Sequence, residues 1–248
     1  MKTSCDWLPM AIPPGLEPGQ VHLWRVEVPE AASLPAPWSG LLTAEERERV
    51  ARKRIPEDAR RTLTSRACLR LLLGLYLGRS PLQIALAATP EGKPVLRGPP
   101  APDKIEFNVS HSAKWVVLGF TRGLSLGVDV ECRRELEFDD LVTGHFSPLE
   151  RNAWAALPLP RRFEAFFAAW TRKEAYLKAL GVGFAKALDS FAVTLAAGSD
   201  ARLVWCADDP QAPHRWRIIS IDPAPGYAGA LAVASSAQGL QTFTFQPS

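Results

Sequence analysis

Between positions 126 and 131 the chain alternates: Leu126, Val128 and Val130 are apolar, and Gly127, Asp129 and Glu131 stand between and after them. Period two places the first set on one face of a strand and the second set on the other. A different period governs 161–180, where Phe163, Phe166, Phe167, Trp170, Leu177 and Leu180 recur at helical spacing and define one stripe. Glu174 falls inside that stripe, four residues after Trp170 and three before Leu177. Gly181 is placed to close the helix as a left-handed cap, with Gly183 in the same loop.

The remaining elements follow from the same two periods. Residues 1–20 are proline-rich and aperiodic, which predicts an extended lead-in. Alternation over 21–28, ended by Pro29, predicts a strand. A charged helix is expected over 43–54, where Thr43 and Glu46 form a capping box, and a second begins at Pro56-Glu57-Asp58. The second is apolar nearly all round over 69–77, the mark of a core helix. Strands are expected near 105–109, 115–120, 191–195, 202–205, 214–221 and 229–234, and Ser147 with Glu150 starts another helix through a second capping box. Two internal echoes stand out. Leu23-Trp24-Arg25-Val26 resembles Arg215-Trp216-Arg217-Ile218, and the run from Ser65 to Gly74 resembles that from Thr171 to Gly181.

Length and composition narrow the class. A chain of 248 residues suits one large domain or two small ones and can bury a real core. A formal charge of +3 argues against a dedicated nucleic-acid binder. The four cysteines show no close pairing and no zinc-ligand spacing, which fits a reducing cytoplasm. The first 20 residues lack the apolar core of a signal peptide, and no apolar run approaches membrane-spanning length.

Candidate chemistry centres on the acids. Asp129 and Glu131 repel one another on one strand face. A solvated edge tolerates that; a cleft asks for a cation, and oxygen-only ligands suit Mg²⁺ or Mn²⁺ better than zinc. Glu174, within an apolar stripe, is costly without a partner and is a candidate third ligand. An i,i+4 ion pair with Lys178, contributing about 0.2–0.5 kcal/mol, is the alternative. Arg47, Arg49, Arg52, Lys53 and Arg54 make a basic face, at least half of it ordinary solvated surface. Ser110 and His111 are sequence neighbours on a strand, so they face opposite ways, and no nucleophile elbow accompanies them. Phosphate contact fits them better than nucleophilic catalysis.

Three motifs in order, Phe107-Asn108-Val109-Ser110-His111-Ser112, Gly127-Val128-Asp129-Val130-Glu131 and the run Trp170 to Lys178, are accompanied by Glu-Gly-Lys-Pro at 91–94 and Leu-Asp-Ser-Phe at 188–191. Together they resemble the 4′-phosphopantetheinyl transferases, specifically the surfactin-type class with two similar halves in one chain, over roughly residues 44–193. The resemblance implies an α+β fold of two halves related by a pseudo-twofold axis, 1–123 and 124–248, with coenzyme A between them. It implies transfer of the 4′-phosphopantetheine arm of coenzyme A to a serine of an apo acyl or peptidyl carrier protein, releasing adenosine 3′,5′-bisphosphate. Asp129, Glu131 and Glu174 would hold Mg²⁺, with Mn²⁺ a second choice, and Lys178 would reach the pyrophosphate. By the same resemblance Arg61 and Thr62, together with Arg49, contact coenzyme A; Lys93, Ser110 and His111 hold its 3′-phosphate region; and Glu150 is the general base, unless a carboxylate-held water takes that role. The first half would hold the cofactor phosphates and the second the metal and the carrier. A monomer is expected, with no nucleic-acid or membrane partner. Leu136, Phe138, Leu141 and Phe146 interrupt a polar segment and are either a carrier-docking surface or core. A coenzyme A-binding protein without transfer activity and a metal-dependent phosphohydrolase are the competing functions.

Overall fold

The computed structural model describes residues 5–90, 92–98, 104–182, 186–196 and 200–247; Glu91 and Gly183, invoked above, lie outside them. Strands β1 (Leu8–Met10) and β2 (Gln20–Glu27) lead to helices α1 (Ala44–Ala51) and α2 (Pro56–Leu77). A small hairpin, β3 (Leu86–Ala88) with β4 (Pro94–Leu96), precedes β5 (Ile105–Ser112) and β6 (Trp115–Arg122). The plan then recurs. Strand β7 (Leu126–Cys132) is followed by α3 (Phe138–His145), α4 (Pro148–Ala155) and α5 (Leu159–Leu180), then by the hairpin β8 (Phe191–Val193) and β9 (Leu203–Cys206). A short α6 (Ala212–Arg215), strands β10 (Trp216–Ile221) and β11 (Tyr227–Ala234), and finally β12 (Gly239–Phe245) complete the chain.

Within each half the first strand pairs with the third and the third with the second, all antiparallel, giving β2-β6-β5 and β7-β11-β10. The long helices α2 and α5 have 22 residues each and both end on a left-handed glycine, Gly78 and Gly181. This is the two-half α+β architecture. The helical echo therefore joins equivalent elements, although three residues out of register with the helix ends. The other echo falls on β2 and β10, which occupy different places in their sheets.

The division at 123/124 falls in the link between β6 and β7, but β12 does not respect it. It returns to run parallel to β2, from Gly239 beside Gln20 to Thr244 beside Arg25, and β1 runs parallel to β12. The first sheet thus has five strands, β1-β12-β2-β6-β5. A parallel pairing across more than two hundred residues leaves no local signal, so β12 and β1 escape a reading by periodicity.

Alternation distributes the strand residues among three cores. Trp24, Phe107 and Phe120 pack under α2; Phe146, Phe166, Phe191 and Tyr176 pack around α5. Val21, Leu23 and Val117 of the first sheet meet Leu126, Val128, Val130 and Leu231 of the second. The apolar face of β7 therefore rests on the other half, which turns Gly127, Asp129 and Glu131 away from it. Phe146 is fully buried, and Phe138 makes ring contacts of 5.8, 4.9 and 6.0 Å with Phe163, Phe166 and Phe167. Leu136 and Leu141 pack against the same cluster, so these four apolar side chains are core rather than a docking surface, while Glu137, Asp139, Asp140, Thr143 and His145 between them are exposed. Among the described residues no helix is long and apolar enough to cross a membrane.

Candidate active site

Asn108, Ser110 and Ser112 alternate along β5 and share one side of it. Their side chains replace a backbone ladder against β7. The amides of Val128, Val130 and Cys132 donate to Asn108 Oδ1 at 2.9 Å, Ser110 Oγ at 3.3 Å and Ser112 Oγ at 3.0 Å. With those oxygens occupied, the hydroxyl protons go to the acids: Ser110 Oγ donates to Asp129 Oδ1 and Ser112 Oγ to Glu131 Oε2, both at 2.9 Å. Ser110 therefore serves Asp129. Ser112 was not singled out by its chemistry, although the Asn-x-Ser-x-Ser alternation carried the signal.

Helix α5 supplies the opposite wall. Thr171, Arg172 and Lys173 are wholly buried, and the half-accessible line is Trp170, Glu174 and Lys178 at i,i+4 spacing. Glu174 is thus not enclosed in an apolar stripe; over 169–179 of α5 it shares the one open line. Lys178 Nζ lies 2.6 Å from Asp129 Oδ1 and 3.1 Å from Ser110 Oγ, so its ion pair is with β7 rather than with Glu174. Burial, and then the charge of Asp129, push the carboxyls of both Glu131 and Glu174 above the ordinary range. Lys178 opposes the shift in each case.

The donor chemistry fits a hard cation. Asp129 Oδ2 is buried and accepts no hydrogen bond, a costly state for a carboxylate oxygen that a metal ion would relieve. As arranged, however, no three His, Cys, Asp or Glu among the described residues gather closely enough to enclose a metal, and the ammonium of Lys178 takes up the charge on Asp129.

Beyond β5 lies a basic cavity of about 420 Å³, lined by Glu46, Arg49, Arg52, Lys53, Thr62, Arg66 and His111. Arg66 comes from α2 and was missed as a site residue because it reads as an ordinary helix position. Burial pushes the His111 imidazole below its usual range, and the cations Arg61, Lys178 and Lys53 push it the same way. Thr62 Oγ1 donates to Asp58 O at 2.7 Å, and Arg61 pairs with Asp58 and donates to Ala113 O at 3.4 Å, which places Arg61 beside the cavity rather than in its lining. Lys93 is elsewhere. Its ammonium donates to Lys178 O at 2.8 Å and Leu126 O at 3.4 Å, so it caps the C-terminal end of α5 and ties it to β7.

Comparison with known proteins settles the family. Residues 125–232 match the profile of the 4′-phosphopantetheinyl transferase superfamily, and residues 34–121 that of the 4′-phosphopantetheinyl transferase N-terminal family. The 4′-phosphopantetheinyl transferase HetI of Nostoc sp. is 33% identical over 92% of this chain and 93% of its own. This chain belongs to the 4′-phosphopantetheinyl transferase superfamily. The transferase psf-1 of Bacillus pumilus is 32% identical over 81% of this chain and 83% of that one, and Sfp of Bacillus subtilis is 28% identical over 78% and 82%. The chain is accordingly an enzyme that transfers phosphopantetheine to carrier proteins.

In this transferase Glu150 is not placed to act as a base. It is 1% exposed. Its Oε2 accepts from Ser147 N at 2.8 Å, Ser147 Oγ at 2.8 Å and Lys173 Nζ at 2.7 Å; its Oε1 accepts from Lys173 Nζ at 2.8 Å and Val193 N at 2.9 Å. A carboxylate engaged on both oxygens and sealed from solvent has no lone pair for a substrate proton. The expectation of a catalytic Glu150 is therefore corrected: it caps α4 and pairs with Lys173.

Gly127 lets the two walls of the transferase site meet. A Cβ there would run into Ala175 O and Ala179 N on the backbone of α5, and lie 2.8 Å from the carbonyl carbon of Lys178. The strand carrying Asp129 and the helix carrying Lys178 are thus in backbone contact. Gly127→Ala forces them apart. The expected result is a loss of roughly 1–3 kcal/mol of stability or more. A fall in kcat of about a hundredfold should accompany it, since a displacement near 1 Å misaligns the reacting groups. Thermal melts and steady-state kinetics check both; a variant normal in each would mean that this contact does not set the site.

Proposed function

We propose that the transferase takes its phosphopantetheine arm from coenzyme A, with the nucleotide phosphates in the basic cavity and the pyrophosphate at the centre formed by Asp129, Glu131, Glu174 and Lys178. One observation carries this reading: Ser110 faces Asp129 and Lys178 while His111, the next residue of β5, lines the basic cavity. An acid–ammonium centre and a phosphate-sized basic cavity therefore adjoin across a single residue. Arg49, Thr62 and His111 keep their proposed roles in holding coenzyme A, joined by Arg52, Lys53 and Arg66, with Arg61 at the margin.

The carrier's serine oxygen forms a bond to the phosphorus that bears the pantetheine arm, and the bond from that phosphorus to the bridging oxygen of the pyrophosphate breaks. Adenosine 3′,5′-bisphosphate leaves. Catalysis of such a displacement rests on positioning and charge neutralisation. Lys178 stabilises the charge that grows on the leaving group. Glu174, on the open line of α5 beside Lys178, can accept the serine proton, and burial and Asp129, which raise its carboxyl, make it the stronger base for that role. Mg²⁺ or Mn²⁺ held by Asp129, Glu131 and Glu174 would supply further positive charge against the pyrophosphate. Residues 1–123 with β12 supply the nucleotide side; the second half supplies the acids and receives the apo acyl or peptidyl carrier. One chain provides both subsites, which supports a working monomer, and four free thiols support a reducing cytoplasm.

Incubation with coenzyme A, Mg²⁺ and several apo-carriers, read by intact-mass spectrometry, tests the reading. The expected product is a carrier heavier by one phosphopantetheinyl group. Coenzyme A bound without an adduct would favour a binding protein, and coenzyme A cleaved without an adduct a phosphohydrolase.

A further inference from the structure

Helix α1 brings Arg49 to the basic cavity, with Arg52 and Lys53 directly after it, yet none of its eight residues is buried. A helix of this length is not stable alone, so something must hold it in place. Val50 packs against the first core, and Glu46, the third residue of α1, adds the polar tie: its Oε2 accepts from Thr43 N and from Arg70 Nε, both at 3.0 Å. Arg70 is 2% exposed, and its Nη1 also donates to Ile84 O at 2.8 Å and Pro81 O at 3.3 Å. Its hydrogen bonds go to Glu46 and to these carbonyls, and Arg66, one turn before it on α2, feels only its charge.

The second half repeats the device. Glu150 is the third residue of α4 and pairs with Lys173, and Lys173 is the fifteenth residue of α5 as Arg70 is of α2. Lys173 likewise donates to backbone of the segment after its helix, at Phe191 O. Each half thus ties its short capped helix to its long helix with one ion pair, fully buried in the second half and partly buried in the first. In the first half the fastened helix is the one that presents cations to the cavity.

We propose that Arg70 is a positioning residue for coenzyme A, setting affinity by holding α1 through Glu46. This rests on the reading that coenzyme A phosphates occupy the basic cavity. With the tie cut, α1 no longer fixes Arg49, Arg52 and Lys53, while Asp129 and Lys178, on β7 and α5, stay where they are. Affinity should fall and the chemical step should not.

The test uses Arg70→Met, with Arg70→Lys as the conservative variant and Arg49→Ala as a control on the cavity itself. In Arg70→Met, Kd by calorimetry and KM for coenzyme A should both rise about tenfold or more, with kcat unchanged at saturation. Amides of 44–51 should lose hydrogen-exchange protection while those in the middle of α2 keep theirs. Arg70→Lys, which installs the residue used by the other half, should recover most of the affinity. If Arg70→Met fails to fold, Arg70→Gln carries the same expectations. Unchanged coenzyme A affinity in these variants, or a loss confined to kcat, overturns the proposal. If Arg49→Ala also binds normally, the cavity reading fails; if Arg49→Ala binds weakly and Arg70→Met normally, only the role of Arg70 fails.

Discussion

Glu150→Gln should unfold the second half more readily without slowing transfer by the folded enzyme. Glutamine can complete the capping box with Ser147, but it cannot neutralise Lys173, whose side chain is 0% exposed. Breaking one side of a buried ion pair costs about 3–5 kcal/mol. Burial already pulls the Lys173 ammonium below its ordinary range, and Glu150 is the main influence opposing that. In the variant the folded state would therefore release the proton more easily than the unfolded chain does. Where the unfolded state binds more protons, stability rises with pH, so the variant should recover part of its loss as pH rises from 7 toward 10. Melting curves across that range check the sign. A large fall in kcat with an unchanged melting temperature would return Glu150 to the chemistry.

Asp129→Asn should have the opposite profile. The amide is nearly the same shape, and it relieves repulsion that raises Glu131 and Glu174, so the fold should survive. What is lost is the charge that holds Lys178 at 2.6 Å and the unpartnered Oδ2 suited to a cation. Removing a group of this kind costs about 10²–10³-fold in kcat. Coenzyme A affinity measured without a divalent cation should not fall, because the basic cavity is intact; measured with Mg²⁺ it should fall, because the hold of the metal on the pyrophosphate is weakened. Single-turnover transfer and calorimetry separate the two effects; near-normal turnover would remove Asp129 from the centre.

These two carboxylates show what the sequence could and could not disclose. Asp129 was legible because strand alternation places it opposite Val128 and Val130, whatever those residues pack against. Gly127 shared that face, and its backbone contact with α5 is what the small residue made possible. Glu150 misled because its capping box was visible and its partner was not: Lys173 is 23 residues away, on another helix. The tie that Lys93 makes was hidden in the same manner, since the carbonyls of Lys178 and Leu126 are 85 and 33 residues distant. Alternation along β5 gave the strand but not the direction in which Asn108, Ser110 and Ser112 reach, which depends on β7 lying beside them. Periodicity reports which face a residue occupies; pairing between distant elements decides what meets it there.

The central claim is that the acids of β7 and α5 form one cation site that engages the pyrophosphate of coenzyme A. A crystal of the enzyme with Mn²⁺ and coenzyme A, measured for anomalous scattering at the manganese edge, tests it most directly. The expected result is a peak bounded by Asp129, Glu131 and Glu174 and touching the pyrophosphate, with the Lys178 ammonium shifted from Asp129 onto a phosphate oxygen. A coenzyme A complex with no peak among those three carboxylates, and Lys178 still paired with Asp129, would contradict it.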